Sequence, residues 1–242
     1  MRPSVKQPLR LEVPSGETDR ILLHACCAPC SGAIIEAMLR QGIRPAVFYS
    51  NANIFPAREY EIRRDECRRH CEANGLAFID DDSDHASWRC VVRGLEKEPE
   101  RGRRCLQCFR YRLERAARFA HENGFRVLAT TLASSRWKDL DQVNEAGRYA
   151  CGLFPDVVWW PQNWRTGGLQ ERRGQIIREQ GFYNQTYCGC EYSMERLSPG
   201  EGKGTIPPSP EPDPPGGQTG RTVERPNGQI SRPVEQPDRQ TS

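Results

Sequence analysis

Ile21-Leu22-Leu23-His24-Ala25-Cys26-Cys27-Ala28-Pro29-Cys30-Ser31-Gly32-Ala33-Ile34-Ile35-Glu36-Ala37-Met38-Leu39-Arg40 reads in one pass as strand, cysteine-rich turn and helix. Ile21 to Ala25 is a short apolar run of strand length, and Gly32 to Arg40 has helical spacing with Gly42 as its stop. Working outward, Pro45 to Ser50 reads as a second strand and Glu59 to Asn74 as a charged helix ended by Gly75. Leu76 to Asp80 reads as a third strand, Arg110 to Asn123 as a helix and Phe125 to Thr131 as a fourth strand. Leu140 to Ala150 is helical, Val157 to Trp160 gives a fifth strand, and Leu169 to Gln180 forms a helix closed by Gly181. Strands separated by helices call for right-handed crossovers and a parallel sheet covered on both faces, so the fold class is α/β, doubly wound.

Ligands of such sheets bind beyond the carboxyl ends of the strands. The segments expected to meet there are Cys26 to Cys30, Ser50 to Asn53, Asp80 to Asp82 and Thr131 to Ser135. One domain is expected over residues 18–197, with a flexible N-terminus over 1–17 and a disordered tail over 198–242, where Pro, Gly, Ser, Thr, Gln and Arg dominate.

Of the eleven cysteines, seven fall in tight groups: Cys26, Cys27 and Cys30; Cys105 and Cys108; Cys188 and Cys190. Soft thiolates at such short spacing chelate a metal or exchange as a redox pair. Cys26 and Cys27 at a strand end can share one metal centre with Cys105 and Cys108, and four thiolates suit either zinc or a [4Fe–4S] cluster; spacing does not separate the two. A Cys-Gly-Cys can close as a strained, easily reduced disulfide. Cys30 can complete either site or hold a second metal. Cys67, Cys71, Cys90 and Cys151 read as packing or surface residues. His24 is either a satisfied strand histidine or a proton donor.

A secreted disulfide framework belongs to shorter chains, the cysteine count is odd, and the N-terminus leads into no apolar run of signal-peptide type, so a reducing cytoplasm is expected. The longest apolar runs fall short of a membrane span. Net charge is only +3, yet basic runs at Arg101 to Arg104 and Arg172-Arg173 adjoin the cysteine groups, where a polyanion can lie across a metal site. No phosphate-binding P-loop, GxGxxG or GxSxG occurs, against nucleotide hydrolysis and serine chemistry.

These residues resemble the iron–sulfur epoxyqueuosine reductases of the non-cobalamin type, which complete queuosine synthesis in tRNA. The likeness is carried by HACCAPCSGAIIEAM at 24–38, NxNIFPxxEYEIRRxEC at 51–67, DHxxW at 84–88, RGLEKEPERGRRCLQCF at 93–109, TTLxxSRWKD at 130–139, NWRxGG at 163–168 and FYNQTYCGCEYS at 182–193. Ala52 and Pro161 depart from the family's usual residues. The resemblance implies an adenine nucleotide alpha-hydrolase-like (Rossmann-like) domain that reductively removes the epoxide oxygen of epoxyqueuosine at the wobble position of tRNA. It implies Cys26, Cys27, Cys105 and Cys108 as [4Fe–4S] ligands and Cys188 with Cys190 as a redox-active disulfide pair. It leaves room for a second mononuclear iron held partly by Cys30, with electrons from an external donor. Anticodon-loop binding would use phosphate contacts from Arg103, Arg104, Lys138 or Arg165 and base stacking on Trp137 or Trp164. Two rival classes are a sulfur-transferring tRNA enzyme on the same fold, whose phosphate loop is here replaced by Cys-Cys-Ala-Pro-Cys, and a zinc-stabilised RNA-binding module.

Overall fold

The computed structural model describes residues 9–14, 16–81 and 84–194; the tail, most of the N-terminal segment and Asp82 lie outside the described residues. Five strands, β1 (Ile21–His24), β2 (Ala46–Tyr49), β3 (Phe78–Asp80), β4 (Val127–Thr130) and β5 (Val158–Trp159), form one sheet in the order β3-β2-β1-β4-β5. Every pairing is parallel, with His24 in register with Phe48 on one side and Thr130 on the other. The doubly wound α/β expectation therefore holds.

The two central strands β1 and β4 are buried along their whole length. Helices cover both faces of a parallel sheet, so such strands carry continuous rather than alternating apolar residues, which is why Ile21-Leu22-Leu23 reads as it does. The helices are α1 (Ala28–Leu39), α2 (Ala57–Ala73), α3 (His85–Val91), α4 (Arg103–Glu122), α5 (Leu140–Gly152), α6 (Leu169–Gln180) and α7 (Glu191–Met194), with a 3-10 turn over Thr131–Ser134. α1 packs against α2 and α6, and α4 packs against α5. Chain order reverses its direction across the sheet between β1 and β4, so the loops that leave these two strands open the crevice where ligands of this architecture bind.

Helix α6 begins and ends where its sequence pattern does, closed by Gly181 in the left-handed conformation at φ 64°. α2 starts two residues early, at Ala57, and two other helices start well before their expected positions. α1 begins at Ala28 rather than Gly32, because Pro29 sits in its first turn, where a missing N–H costs nothing. α4 begins at Arg103 rather than Arg110, capped by Gly102, and so takes in the Cys105-Cys108 pair. Short α3 and α7 were not expected. α3 is announced only by Asp84, whose carboxylate accepts from the backbone N–H groups of Ala86 and Ser87. No helix among the described residues is long and apolar enough to cross a membrane.

Candidate metal and substrate site

Only Ala25, Cys26 and Cys27 separate β1 from α1, so this short gap holds the first two cysteines and the first turn of the helix holds Cys30. Ala25 N–H still donates to Phe48 O, and Cys27 is the extended N-cap of α1 at φ −177°. Cys26, Cys27 and Cys30 consequently bring their sulfurs within 4.8 Å of one another at a helix N-terminus, with Cys26 Sγ and Cys27 Sγ 3.8 Å apart. Three soft donors at that separation could hold a metal ion. The partial positive charge of the helix end favours their thiolate forms.

The three thiols divide their roles electrostatically. Cys26 is held well below the usual thiol range, because Cys27 and Cys30 hydrogen-bond to its sulfur and Lys138 and the Thr131 hydroxyl add to this against the cost of burial. Cys27, fully buried, is pushed up by desolvation, and Cys30 is pushed up to about 11, first by its hydrogen bond to Cys26. Outer contacts fix the group: Thr131 Oγ1 donates to Cys26 Sγ at 3.4 Å and accepts from Cys26 N–H at 3.1 Å, while Gln185 Nε2 donates to Cys27 Sγ at 2.9 Å. Such contacts orient ligands and tune the group they hold.

Cys26 and Cys30 open onto a cavity of about 820 Å³ that Cys105, Cys188 and Cys190 also line. Cys105 and Cys108 occupy the first two turns of α4 and are not part of the mutually close trio. Burial pushes Cys105 up to about 12, aided by the charge of Cys188 and of Cys108, and it raises Cys108 as well. Arg101 N–H donates to Cys105 Sγ at 3.3 Å. Cys190 is raised to about 11 by burial and then by the charge of Cys188. All the cysteines are free thiols in this structure, Cys188 and Cys190 included.

The Cys188-Gly189-Cys190 turn is anchored from α2. Arg63 and Glu59, one helical turn apart, form a buried ion pair at 2.6 Å. Arg63 Nη1 and Nη2 donate to the carbonyls of Cys188 at 3.2 Å and Tyr187 at 3.3 Å. Glu59 accepts from the Tyr183 hydroxyl at 3.0 Å, and Phe55 N–H donates to Gly189 O at 2.8 Å. Gly189 has φ 118°, and a Cβ there would stand 2.9 Å from Arg63 Nη1, so the turn needs glycine for both backbone and space.

The charged lining of the cavity is mainly cationic, with Arg63, Arg101, Arg104, Arg112, Arg136, Lys138 and Arg173 against two carboxylates, Glu100 and Asp139. Lys138 loses stability as a cation by burial, but the charges of Cys188, Cys26 and Cys30 more than restore it and its pKa is raised. Trp137 is 69% exposed at the rim, and Arg101 fixes its loop by donating to Arg136 O and Trp137 O, each at 2.9 Å.

Of the other sequence-derived RNA candidates, only Arg104 lines the cavity. Trp164 is only 1% exposed, donates its indole N–H to Thr130 O at 3.1 Å and packs on Trp160, so it offers no face to a base. Arg104 is equally buried, its Nη1 spent on the carbonyls of Glu96 and Glu98. Arg165 holds the carbonyls of Ser135 and Lys138 and thereby the Trp137 loop. Arg103 is exposed and paired with Glu98 at 2.9 Å. His24 is fully buried between Thr130 Oγ1 at 2.7 Å and Ser50 O at 3.0 Å, and burial followed by the Arg112 charge lowers its pKa to about 3, so it is the satisfied strand histidine rather than a proton donor. Cys67 and Cys71 are core residues, Cys151 is buried and Cys90 is exposed, as their isolation in sequence suggests. Ala52 is buried and accepts from His85 Nδ1 through its carbonyl at 2.7 Å, while Pro161 is exposed and outside the cavity lining.

Arg112 has no signature in the sequence, while Arg101 lies in a basic run and Glu59, Arg63 and Gln185 lie in the quoted motifs, none of which says what these side chains touch. For α2 the spacing added a signal, since Glu59, Arg63, Glu66, Cys67 and Cys71 recur at helical spacing on the buried face.

Comparison with known proteins shows the family. The sequence model of the family described as Epoxyqueuosine reductase QueH matches residues 21–196. The chain is 48% identical over 185 residues to the epoxyqueuosine reductase QueH of Histophilus somni, covering 76% of each protein. It is 44% identical over 189 residues to that of Acinetobacter baylyi, covering 78% of this chain and 86% of the relative. To the shorter Thermotoga maritima protein it is 30% identical over 178 residues, which is 90% of that relative. The matched span begins at β1 and takes in every cysteine group of the cavity, and the chain belongs to the epoxyqueuosine reductase QueH family.

Proposed function

We propose that this chain is an iron–sulfur epoxyqueuosine reductase that needs no cobalamin: it takes epoxyqueuosine in tRNA and removes the epoxide oxygen as water, consuming two electrons and two protons and leaving queuosine. The observation that carries the reading is the trio Cys26-Cys27-Cys30, of which Cys26 and Cys30 open onto a cationic cavity that three further cysteine residues line. A purely soft donor set of this kind fits an iron–sulfur group better than a hard cation. Cys26, Cys27, Cys105 and Cys108 are the proposed holders of a [4Fe–4S] cluster, and Cys30 remains for a second iron. Bound there, the cluster supplies electrons one at a time from an external donor, and the second iron supplies a Lewis acid for the epoxide oxygen.

The chain's own side chains do the rest. Cys188 and Cys190 form the proposed dithiol, held against the cavity by Arg63, which on giving up two electrons and two protons closes to a disulfide that the donor reopens. Lys138, kept protonated by the surrounding sulfur charge, stabilises negative charge that develops on the opening oxygen. Trp137 stacks a splayed base of the anticodon loop, and Arg136 and Arg173 neutralise flanking phosphates at the cavity rim. Arg103 adds an outer phosphate contact, whereas Arg104 and Arg165 serve by holding loop carbonyls. A reducing cytoplasm, with the thiols free, is part of the same reading.

Anaerobic iron and sulfide analysis combined with turnover on epoxyqueuosine-containing tRNA tests it. The expected result is acid-labile sulfide with iron in equal amount, or in excess by one iron per cluster where the second site is filled, and conversion to queuosine. Cys188→Ser and Cys190→Ser should keep both elements and lose multiple turnover, whereas Cys105→Ala should lose the cluster. Zinc without sulfide in active protein would overturn the cluster assignment, and full activity in the double Ser variant would remove the dithiol.

A further inference from the structure

Cys105, Cys108 and Arg112 recur on α4 at spacings of three and four residues and therefore share one face of the helix. Arg112 is 2% exposed, yet its hydrogen-bond acceptors are neutral: Ser50 O accepts from Nε at 3.1 Å, and Asn51 Oδ1 accepts from Nη2. The neighbouring ion pairs, Arg63 with Glu59 and Arg115 with Asp81, leave it out. A guanidinium cannot shed its charge, and burying it without a counter-charge is strongly unfavourable.

Among the described residues no carboxylate is ion-paired with Arg112, and it lines the same cavity as Cys26, Cys30, Cys105, Cys188 and Cys190, where a negative group would meet it. Cys108, one helical turn before Arg112 on the same face of α4, is buried as well. Both anchors of the guanidinium are themselves fixed, since Ser50 O also accepts from His24 Nε2 at 3.0 Å and Asn51 Nδ2 donates to Ala25 O at 2.9 Å. Here the protein holds a rigid cation on the helix face that carries Cys105 and Cys108, whereas Lys138 comes from the loop before α5.

We propose that Arg112 is the built-in counter-charge of the cysteine cavity, a positioning residue that stabilises the more negative, reduced state of the iron–sulfur group held there and so raises its reduction potential. The inference rests on the iron–sulfur reading above. Gain of one electron makes a thiolate-ligated cluster more negative by one charge, and a fixed cation in a dry site stabilises that charge more than water would.

The test is an anaerobic redox titration with dithionite and mediator dyes, followed by electron paramagnetic resonance, on the wild type and on Arg112→Met, Arg112→Lys and Asn51→Asp. Arg112→Met should keep wild-type iron and sulfide, but its reduced-to-oxidised ratio at a fixed potential should fall at least tenfold, a shift of about 59 mV to the negative for a one-electron couple. Arg112→Lys should stay within about threefold of the wild type. Asn51→Asp, which offers Arg112 a carboxylate, should shift in the same direction as Arg112→Met. An unshifted potential in Arg112→Met at full cluster content overturns the inference. If Arg112→Met assembles no cluster, Arg112→Lys decides: a wild-type cluster and potential support a role for charge, and loss of the cluster with an unchanged melting temperature shows that shape alone mattered. Wild type that holds no iron and sulfide defeats the underlying reading instead, a result distinct from either.

Discussion

Glu59→Leu should unfold the protein more readily than almost any surface change, although Glu59 lies in a stretch that looks like an exposed helix. Its carboxylate and the Arg63 guanidinium are 1% and 3% exposed and 2.6 Å apart. Removal of one partner of such a pair strands the other charge in the interior, at a cost of about 3–5 kcal/mol. That is a large share of the roughly 5–15 kcal/mol that keeps a domain folded. At roughly 2–4 °C per kcal/mol for a domain of this size, the melting temperature should fall by about 6–20 °C. Arg63→Met should cost a comparable amount. The double variant, by contrast, removes both charges and should return close to wild-type stability, as buried pairs replaced by apolar residues of similar volume generally do. Turnover should separate from stability. Arg63 donates to the carbonyls of Tyr187 and Cys188, so both variants that lack it should leave the Cys188-Cys190 turn unanchored and convert little tRNA even when folded. Urea denaturation of the cofactor-free protein by circular dichroism gives the first quantity, and queuosine formed under anaerobic multiple turnover gives the second. A double variant as unstable as the singles would refute the charge-balance argument. Recovery of wild-type turnover in the double variant would show that Arg63 does not place the turn.

Gly189→Ala should cost about 1–3 kcal/mol in strain at φ 118° and crowd Ile54 Cγ1 at 3.1 Å, and because the strain falls on the dithiol turn, turnover should drop at least about tenfold while melting moves by a few degrees. Stability should also fall with acid in a window set by His24: burial, then the Arg112 charge, lowers its folded pKa from 6.5 to about 3, so the unfolded chain takes up the proton first. The His24 contribution is therefore fully present above pH 6.5 and is lost at about 1.4 kcal/mol per pH unit from there down to about pH 3; His24→Gln should flatten that slope in urea titrations at successive pH values. Trp137→Ala, at a residue 69% exposed, should leave melting within about 0.5 kcal/mol of wild type, yet weaken tRNA binding by about 1–3 kcal/mol, roughly 5- to 150-fold by filter binding. Unchanged affinity would move base stacking away from that rim.

Local pattern alone determined the parallel sheet and the end of it that matters. Ile21-Leu22-Leu23 could only be a doubly covered strand, Leu169 to Gln180 carries its own stop signal in Gly181, and the cysteines after β1 had to emerge at the carboxyl edge. Helix starts were less legible, because Pro29 and Gly102 can open a helix or sit in a loop, and packing decides which. For α4 the decision was made by Arg104, whose guanidinium is buried on the carbonyls of Glu96 and Glu98; that contact moves Cys105 and Cys108 from a loop onto a helix face shared with Arg112. The same limit explains Trp164 and Arg63. An Asn-Trp-Arg segment reads as an RNA contact until the indole is found donating to Thr130, and a charged helix reads as solvated until Arg63 is found bonded to residues 124 and 125 positions away. Spacing along the chain encodes neighbours within a helix or strand, because rise and period fix them. Which buried charge meets which carbonyl or sulfur across the crevice depends on how the elements dock, and only the folded chain sets those distances.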